Sequence, residues 1–478
     1  MTRETWATRM GFILAAVGSA VGLGNIWRFP WVTAENGGSA FLLVYLAIVV
    51  LVGVPGILGE FVIGRRSGRN PVGALRELSG SRTWGLVGLL SVFTGVALLS
   101  FYSVVGGWIL RYFVESLVAL GTAGPAPYFA DPGPYYDGIA FTTDAVLYHV
   151  AFLVLTALIV FAGIRRGIEI GTKVMMPAIL LLLVGLAVWA SQQPNAAAGY
   201  EFYLSFDLAT LRANFFDVLG PAAGQALFTL SLGAGTMVTY ASYLGDDRSL
   251  PFDATTIAVL NTFVGVLAGL VVFPLLFSVT GEAGGSGPGA LFVSIAGAFA
   301  RLPAGTLIAT AFFGVVTLAA LSSSISMLEI PVSFLVDEFD LSRPVAVGGV
   351  AGLVVVTGSA NALRPALFGF VAGPLVDSLL TIGLIAFLLF VGWVLGVDAV
   401  DEFRRGAGGL ADTLSTPWLL AVGVAIPFFL VFTLLSSLGL GGMAASLIPV
   451  SSFWLTVVMT VVLTVGAFLG LRGSRSVV

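Results

Sequence analysis

The first long apolar segment of this sequence is interrupted by GSAVGLGN at positions 18–25, and a later one, near 217–244, by SLGAG at positions 231–235. Small residues also allow membrane helices to pack closely, so either cluster alone could serve packing. The two clusters lie five predicted spans apart. Interrupted segments at matching positions of two five-span halves are typical of secondary transporters built from inverted repeats, with the binding site near the bilayer midplane.

The composition of the 478-residue chain is that of a protein dissolved in lipid. Apolar residues make up 58% and charged residues only 10%, with a mean hydropathy of +1.04, whereas soluble domains have about 25% charged residues. The absence of Cys excludes disulfides, thiolate metal sites and a cysteine nucleophile. The single His149 lies near a predicted span end, where we expect a structural role at the interface. A net charge of −4 gives no reason to expect a nucleic-acid partner.

Apolar runs long enough to cross a bilayer predict an all-α membrane protein, residues 1–478 forming a single domain with about twelve transmembrane helices. The predicted spans lie near 9–34, 37–64, 84–118, 143–163, 171–190, 217–244, 252–281, 306–336, 343–361, 366–395, 416–438 and 452–472. Repeat one would cover about 9–190 and repeat two about 217–395, with accessory helices over 416–472. Long connections are expected at 119–142, 191–216 and 282–305, the last with an apolar stretch that fits a short re-entrant helix.

The distribution of Lys and Arg predicts the orientation in the membrane. With a cytoplasmic amino terminus, sixteen of the 21 basic residues fall on the cytoplasmic side, as the positive-inside rule requires. The five on the other side are Arg28, Arg111, Arg212, Arg301 and Arg364. We therefore expect a multi-pass protein of the cell membrane with both termini in the cytoplasm. The pattern specifies no oligomeric state.

Breaking a helix within lipid frees amides and carbonyls that need new partners. Amides at the positive end of a half helix suit a carboxylate, and freed carbonyls suit Na⁺. Oxygen-bearing side chains without soft donors also fit alkali cations. The spans supply these at Asn25, Thr229, Ser231, Asn261 and Ser322-Ser323-Ser324. Two further carboxylates within spans, Glu60 and Glu329, are expected to form structural polar contacts with neighbouring backbone.

Charged residues at the margins of spans are functional candidates, because an unpaired charge in a membrane is costly. Arg28 and Asp377 are both predicted toward the outer side, and Arg3 and Asp337 toward the inner side. Each pair could latch one end of a central site. For Arg3, a role as a positive-inside anchor is equally open.

Several stretches carry a long and specific resemblance. They are WATRMGF at 6–12, AVGLGNIWRFP at 20–30, NGG at 36–38, FTLSLG at 228–233, TYASY at 239–243, and LSSS at 321–324 followed by Glu329. Together they closely resemble the signature of the neurotransmitter:sodium symporter family, and the chain looks like a prokaryotic member resembling the bacterial leucine transporter. The resemblance implies a leucine-transporter-like fold with two inverted five-helix repeats and broken helices 1 and 6. It also implies Na⁺-coupled uptake by alternating access.

The resemblance further implies two sodium sites. One Na⁺ would be held by the substrate carboxylate together with Ala20, Asn25, Thr229 and Asn261. The second would be held by carbonyls of Gly18, Val21 and Ala319 and by the hydroxyls of Ser322 and Ser323. By the same resemblance Arg28 and Asp377 form an outer gate, and Arg3 and Asp337 an inner one, with Trp6 packing at the cytoplasmic end.

The implied substrate is an amino acid. Biogenic-amine members carry an Asp where this chain has Gly22, so an acidic partner for a ligand amine is missing. Tyr102 would bind the substrate carboxylate and, with Phe228, close over it. The implied site comprises Ser19, Ala20, Gly22, Leu23, Gly24, Leu98, Tyr102, Phe228, Thr229, Ser231, Ala234, Ser323 and Met327. The leucine transporter has Phe at the position of Ala234, so a larger pocket and a bulky apolar or aromatic amino acid are expected, unless a neighbouring side chain fills the space.

The resemblance leaves anion dependence open. Tyr45, Gln225, Thr229 and Asn261 match positions of the family's chloride site. Chloride-independent relatives often carry a carboxylate at the position of Gly265, and chloride-dependent ones a Ser. This chain has neither, so chloride dependence and a proton-linked substitute both stay open.

The residue content argues against two alternatives to a transporter, a channel and an enzyme, and leaves a third, a sensor, open. A channel would need a continuous polar pore, which the sequence does not show. An intramembrane enzyme would need a nucleophile with a base or a metal set, and one His without Cys argues against it. A sensor that binds substrate without moving it would need the same site as a transporter, so only flux distinguishes the two.

Overall fold

The computed structural model describes residues 6–206, 208–245, 248–279, 281–283, 289–440, 443 and 451–475. These residues form helices and connections, with no β-strand among them. Ten of the described helices are long and apolar enough to cross a membrane, and a bent pair at the amino terminus makes eleven. The predicted sixth span is present as two consecutive helices. Because the described residues form helices and no strand, the all-α prediction is confirmed.

We number the long helices α1–α12 in chain order. Their bounds are α1 (Arg9–Ala20 and Gly24–Glu35), α2 (Ser39–Ser67), α3 (Arg82–Gly121), α4 (Thr143–Phe161), α5 (Ile164–Ala190), α6 (Leu208–Thr229 and Thr236–Ala241), α7 (Leu250–Val279), α8 (Gly305–Phe339), α9 (Arg343–Leu363), α10 (Pro365–Leu395), α11 (Ala411–Ser437) and α12 (Ser452–Arg475). Short helices in the connections are Pro71–Ser79, Pro132–Ala140, Ala196–Leu204, Ala290–Arg301 and Val397–Arg404.

The two predicted breaks are confirmed. In α1, Val21 leaves the helical conformation (φ −79°, ψ 102°), and the two halves are inclined by 43°. In α6, Ser231, Gly233 and Gly235 have φ of +54°, +83° and +75°. Glycine adopts positive φ readily, whereas Ser231 does so at a steric cost that the surrounding structure must offset. Both breaks therefore expose backbone groups inside the helix bundle.

The Glu60 carboxylate of α2 satisfies the amides freed in α6. Its Oε1 accepts a hydrogen bond from Gly233 N (2.7 Å), its Oε2 one from Met237 N (3.2 Å), and its side chain is fully buried. This is the backbone contact expected for Glu60. For Glu329 the expectation was wrong, because its described partners are side chains: the Tyr243 hydroxyl (2.9 Å) and the Arg343 guanidinium (2.5 Å).

The connections contain more helix than the sequence predicts. The helix Ala290–Arg301 lies within the predicted 282–305 connection, where a short helix is expected. By contrast, α6 begins at Leu208, inside the connection predicted for 191–216. Its first turns are largely exposed and include Arg212 and Asn214, so hydropathy alone places the start of this helix too late.

The first half of α1 lies inside the bundle, packed against α5, α7 and α8, while α3 packs along α8. This arrangement places both breaks at the centre. His149 of α4 is fully buried rather than interfacial. A Cβ on Gly358 of α9 would lie 2.3 Å from its Cε1, so the imidazole fills a notch in the neighbouring helix. Its structural role is thus in interhelical packing.

Candidate functional site

The residues assigned to the first sodium site converge on the Asn261 amide. One terminal atom of that amide, placed as oxygen, lies 2.9 Å from Asn25 Nδ2, 3.1 Å from the Ala20 carbonyl and 3.3 Å from both Thr229 oxygens. The Thr229 hydroxyl can donate to this atom, whereas the Ala20 and Thr229 carbonyls cannot, so the two carbonyls need either a reversed amide that donates to them or a cation between the oxygens. Oxygens held about 2.4 Å from one cation at right angles would be about 3.4 Å apart. The geometry therefore fits a cation ligated by neutral oxygens.

The residues assigned to the second site also meet. The Ser322 hydroxyl lies 3.1 Å from the Val21 carbonyl and 2.9 Å from the Ala319 carbonyl. The Ser323 hydroxyl lies 3.5 Å from the Gly18 carbonyl. Val21 presents its carbonyl because it ends the first half of α1. These contacts join α1 and α8 through five oxygens near the break, and Ser323 Oγ donates more closely to the Ser19 carbonyl, at 2.9 Å.

Both clusters consist of buried, uncharged oxygen donors. Within the described ranges, no three His, Cys, Asp or Glu residues lie close enough to hold a metal ion together. Carbonyl and hydroxyl oxygens suit hard alkali cations, while transition metals favour imidazole or thiolate ligands. The donor sets are thus suited to Na⁺.

The residues assigned to the substrate carboxylate lie beside the break in α1. The Tyr102 hydroxyl of α3 accepts a hydrogen bond from Leu23 N (3.0 Å), and the Gly22 amide donates to Asn25 Oδ1 (3.2 Å). A Cβ on Gly22 would lie 2.0 Å from Ser323 Oγ and 2.6 Å from the Tyr102 hydroxyl. Only glycine therefore leaves the space between these two hydroxyl groups open.

The remaining predicted pocket residues lie on α1, α3, α6 and α8, and all are buried except the half-buried Ser231. They are Ser19 and Gly24 on α1, Leu98 on α3, Phe228, Thr229, Ser231 and Ala234 on α6, and Ser323 and Met327 on α8. The Ser231 hydroxyl donates to the Ser19 carbonyl (3.1 Å), which joins the broken regions of α1 and α6 directly. A Cβ on Gly24 would lie 3.1 Å from the Phe228 ring. The structure therefore brings together side chains that are far apart in sequence.

The predicted outer gate is closed. Arg28 Nη2 donates to both carboxylate oxygens of Asp377, at 3.0 and 2.9 Å. The Arg28 guanidinium also lies over the Phe228 ring, 4.7 Å from its centroid. Above this pair a cavity of about 580 Å³ is lined by Arg28, Asp377, Glu35 and Asp217, among others. Arg28 thus contacts both Asp377 and Phe228 beside this cavity.

Beyond the other end of α1, Trp6 contacts α6 and the residues that follow it. Its indole Nε1 donates to the Tyr240 carbonyl (3.0 Å), and its backbone amide donates to the Tyr243 carbonyl (3.3 Å). Arg3, the predicted partner of Asp337, lies outside the described residues. Asp337 itself accepts hydrogen bonds from Asn70 N and Nδ2, both at 3.1 Å. A cavity of about 760 Å³ at this end is lined by Tyr243, Asp337 and Arg343, among others.

Sequence reasoning missed two carboxylates that hold the start of α1. Glu169 of α5 accepts hydrogen bonds from Ala7 N and Thr8 Oγ1, both at 2.8 Å. Asp253 of α7 is fully buried and pairs with Arg9 at 2.7 Å. Both carboxylates lie near the ends of predicted spans, so the cost of burying a charge could have identified them as candidates.

The positions that match the family's chloride site surround an uncharged space. The hydroxyls of Tyr45 and Thr262 and the Gln225 Oε1 are buried without a hydrogen-bond partner in the described part of the chain. A Cβ on Gly265 would lie 4.0 Å from the Tyr45 hydroxyl and 3.5 Å from Asn25 Nδ2. The buried Tyr45 hydroxyl therefore faces a place where this chain has no side chain.

Comparison with known proteins agrees with this geometry. A sequence profile described as the Sodium:neurotransmitter symporter family matches residues 3–122 and 137–465. The chain is 39% identical over 334 residues to YhdH of Bacillus subtilis (strain 168), an uncharacterized sodium-dependent transporter, covering 69% of this chain and 71% of the relative. It is 33% identical over 455 residues to MJ1319 of Methanocaldococcus jannaschii, also described as an uncharacterized sodium-dependent transporter, covering 90% and 89%.

Among solved structures, the crystal structure of MhsT in complex with L-phenylalanine matches with a TM-score of 0.81 and 36% sequence identity. The match covers 91% of this chain and 100% of MhsT. It supports the leucine-transporter-like fold that the two broken helices indicate. Since the family profile spans nearly the whole chain and its relatives are sodium-dependent transporters, the chain belongs to the sodium:neurotransmitter symporter family.

Proposed function

We propose that this protein imports a bulky apolar or aromatic amino acid together with Na⁺ by alternating access. The observation that carries the proposal is the joint placement of two oxygen clusters and the Tyr102 hydroxyl around the breaks in α1 and α6. Both clusters include the backbone of α1, so ion binding and substrate binding would order the same segment. Binding of the two ligands is then coupled, because the first ligand to bind orders a segment that the second also requires to be ordered.

The proposed stoichiometry is two Na⁺ per substrate. One ion moving down a potential of about 100 mV releases about 2.3 kcal/mol before its concentration gradient is counted. The first ion would lie between Asn261, Thr229 and Ala20, where the substrate carboxylate adds a negative ligand. The second would lie between Ser322 and the Val21 carbonyl.

The substrate class is proposed from the pocket and from a relative. Ala234 is fully buried in α6 and presents only a methyl group. MhsT, whose fold this chain shares, was solved with L-phenylalanine bound. A small residue at 234 together with Leu98 and Met327 offers an apolar wall for a large side chain. The missing carboxylate at Gly22 disfavours a monoamine.

The test is uptake of radiolabelled Phe, Leu, Gly and dopamine into proteoliposomes, with an inward Na⁺ gradient and then with Na⁺ replaced by K⁺. We expect Na⁺-driven accumulation of Phe and Leu only. Ser322→Ala should raise the Na⁺ concentration needed for half-maximal uptake about tenfold, since it removes one ion ligand. Ser324→Ala is the matched control, because that hydroxyl pairs with Thr156 of α4 instead.

Each other outcome of this experiment has a definite meaning. Saturable Na⁺-dependent binding of Phe without flux would replace the symporter with a sensor. Accumulation of Gly alone would contradict the bulky-substrate proposal. Uptake that ignores Na⁺ replacement would contradict the ion sites.

Orientation and internal repeats belong to the same proposal. Both termini would lie in the cytoplasm, as the positive-inside distribution predicts, and residues 9–190 and 217–395 would form the inverted halves. Asp337 and Trp6 then lie at the cytoplasmic end and Arg28 and Asp377 at the outer end. This places the gates in the order that import requires.

We further propose that chloride occupies the space beside Gly265. Two Na⁺ ions bring positive charge into a low-dielectric interior, where an anion offsets their cost. The buried, unpartnered hydroxyls of Tyr45 and Thr262 supply two donors for it. A chloride ion would provide the acceptor that both hydroxyls lack.

Replacing chloride by gluconate should lower Na⁺-driven uptake by the wild type at least about tenfold, if one charge-assisted contact is lost. Gly265→Glu should restore uptake in gluconate, because its carboxylate supplies the negative charge. Gly265→Gln is the isosteric control and should stay chloride-dependent. Full wild-type activity in gluconate would contradict the chloride proposal.

A further inference from the structure

Three buried serine hydroxyls lie beside the breaks, and one of them was not expected from the sequence. Ser19 Oγ of α1 donates to Ser326 Oγ of α8 at 2.7 Å, and Ser326 Oγ donates to the Ser323 carbonyl at 2.7 Å. Ser231 Oγ of α6 donates to the Ser19 carbonyl at 3.1 Å and lies 3.4 Å from Ser19 Oγ. We call Ser19, Ser231 and Ser326 the serine cluster; each is buried or nearly so.

The serine cluster has more acceptors than donors. Each hydroxyl has one proton and two lone pairs. All three protons are directed to protein oxygens, and Ser326 fixes the direction of the Ser19 proton. Ser19 Oγ is the donor in both of its hydroxyl contacts, to Ser326 Oγ at 2.7 Å and to Ser231 Oγ at 3.4 Å, and no hydrogen bond among the described residues ends on its lone pairs. A buried acceptor of this kind gains from a ligand N–H or O–H group.

We propose that the serine cluster is a specificity subsite that accepts a hydrogen bond from a donor on the substrate's aromatic ring. The proposal rests on the proposed function and names the substrate class within it: aromatic amino acids with a ring N–H or O–H group. Ser19, Leu98 and Met327 all belong to the predicted pocket, so in this proposal an aromatic ring packs against Leu98 and Met327 while its single donor reaches Ser19 Oγ. Ser326 is a positioning residue, because it acts by holding the Ser19 proton away from the ligand.

The test compares two nearly isosteric competitors of radiolabelled leucine uptake in proteoliposomes. L-tryptophan carries the indole N–H, and 3-benzothienyl-L-alanine has sulfur in its place. The wild type should bind tryptophan about tenfold more tightly, the usual effect of one net hydrogen bond. Tyrosine should likewise compete better than phenylalanine.

Ser326→Ala should reduce the tryptophan preference to within about twofold, because the freed Ser19 proton can then point at the ligand and remove the acceptor. Leucine uptake should change little, which a merely structural defect would not allow. Ser333→Ala is the control, since its hydroxyl bonds only to the Ile330 carbonyl of its own helix.

Two results would overturn the inference: equal affinity of the wild type for both competitors, or an unchanged preference in Ser326→Ala. Either could occur with Na⁺-driven leucine uptake intact, which would leave the proposed function standing. Loss of Na⁺-driven uptake of every amino acid by the wild type would instead contradict the proposed function itself.

Discussion

Gly22→Ala should abolish amino-acid uptake while leaving the protein folded. The added methyl carbon would lie 2.0 Å from Ser323 Oγ, 2.9 Å from Ser323 Cβ and 2.6 Å from the Tyr102 hydroxyl. The Ser323 hydroxyl can rotate away, but its Cβ cannot, so α1 and α8 must separate at the site of both ligands. A displacement of about 1 Å at a reacting or binding centre can cost about 100-fold in activity. We expect Na⁺-driven uptake to fall by at least about that factor.

Gly185→Ala is the matched control for this prediction. Gly185 lies in α5, and a Cβ there would meet no atom within 4 Å. This variant should transport like the wild type. Size-exclusion chromatography in detergent should show both variants as monodisperse. Normal uptake by folded Gly22→Ala would show that substrate does not need the space between Tyr102 and Ser323.

Arg65→Ala should destabilise the protein more than any neighbouring charge removal. Arg65, at the carboxyl-terminal end of α2, pairs with Glu402 of the helix Val397–Arg404, and both side chains are fully buried. Its Nη1 also donates to the Arg248 carbonyl (2.5 Å) and its Nη2 to the Glu402 carbonyl (2.7 Å). One guanidinium therefore joins α2, the connection after α6 and the helix before α11.

Removing Arg65 leaves the buried Glu402 with only the more distant Arg405 guanidinium, at 3.4 Å. Breaking a buried ion pair on one side typically costs about 3–5 kcal/mol. We expect a loss of this size, seen as a lower midpoint in thermal unfolding in detergent. Because the same group binds the connection after α6, the initial uptake rate should also fall.

The adjacent Arg66 is the internal control. It pairs with Asp398 at 2.9 Å, but the two side chains are 28% and 59% exposed. Exposed pairs contribute at most about 1 kcal/mol, so Arg66→Ala should unfold near the wild-type temperature. The double variant Arg65→Met/Glu402→Met should recover most of the lost stability, because no unpaired charge remains. Equal unfolding midpoints for Arg65→Ala and Arg66→Ala would contradict the buried-pair argument.

Much of the fold follows from local sequence properties. Apolar runs predict the spans because bilayer thickness sets their length, and eleven of the twelve meet the same criterion in the structure. The breaks in α1 and α6 were predictable because glycine clusters have no other strong reason to recur five spans apart. The Leu208 start of α6 was not predictable, since its first turns are too polar for a hydropathy criterion.

Among the proposed ion and substrate residues, some were identifiable from the sequence and others only from the structure. Asn25, Thr229, Ser322 and Ser323 were identified because oxygen side chains in lipid need a partner and because they lie in a recognisable family motif. Ser326 lies among the same residues, but its role depends on which hydroxyl donates a proton to Ser326 Oγ. That choice is set by a 2.7 Å approach of α1 to α8 across 307 residues, and no local pattern encodes it.

The sequence by itself determined the membrane-spanning class, the two helix breaks and the family, and it supplied the candidate oxygen donors for Na⁺, because each depends on residue type and spacing along the chain. The family resemblance predicted the pairing of Arg28 with Asp377, but only the tertiary structure decided the other charged contacts: Glu60 with the α6 amides, Glu329 with Arg343 rather than backbone, and Arg65 with Glu402. The physical reason is that a buried charge requires a partner but does not specify one. Helix packing selects that partner from residues hundreds of positions away.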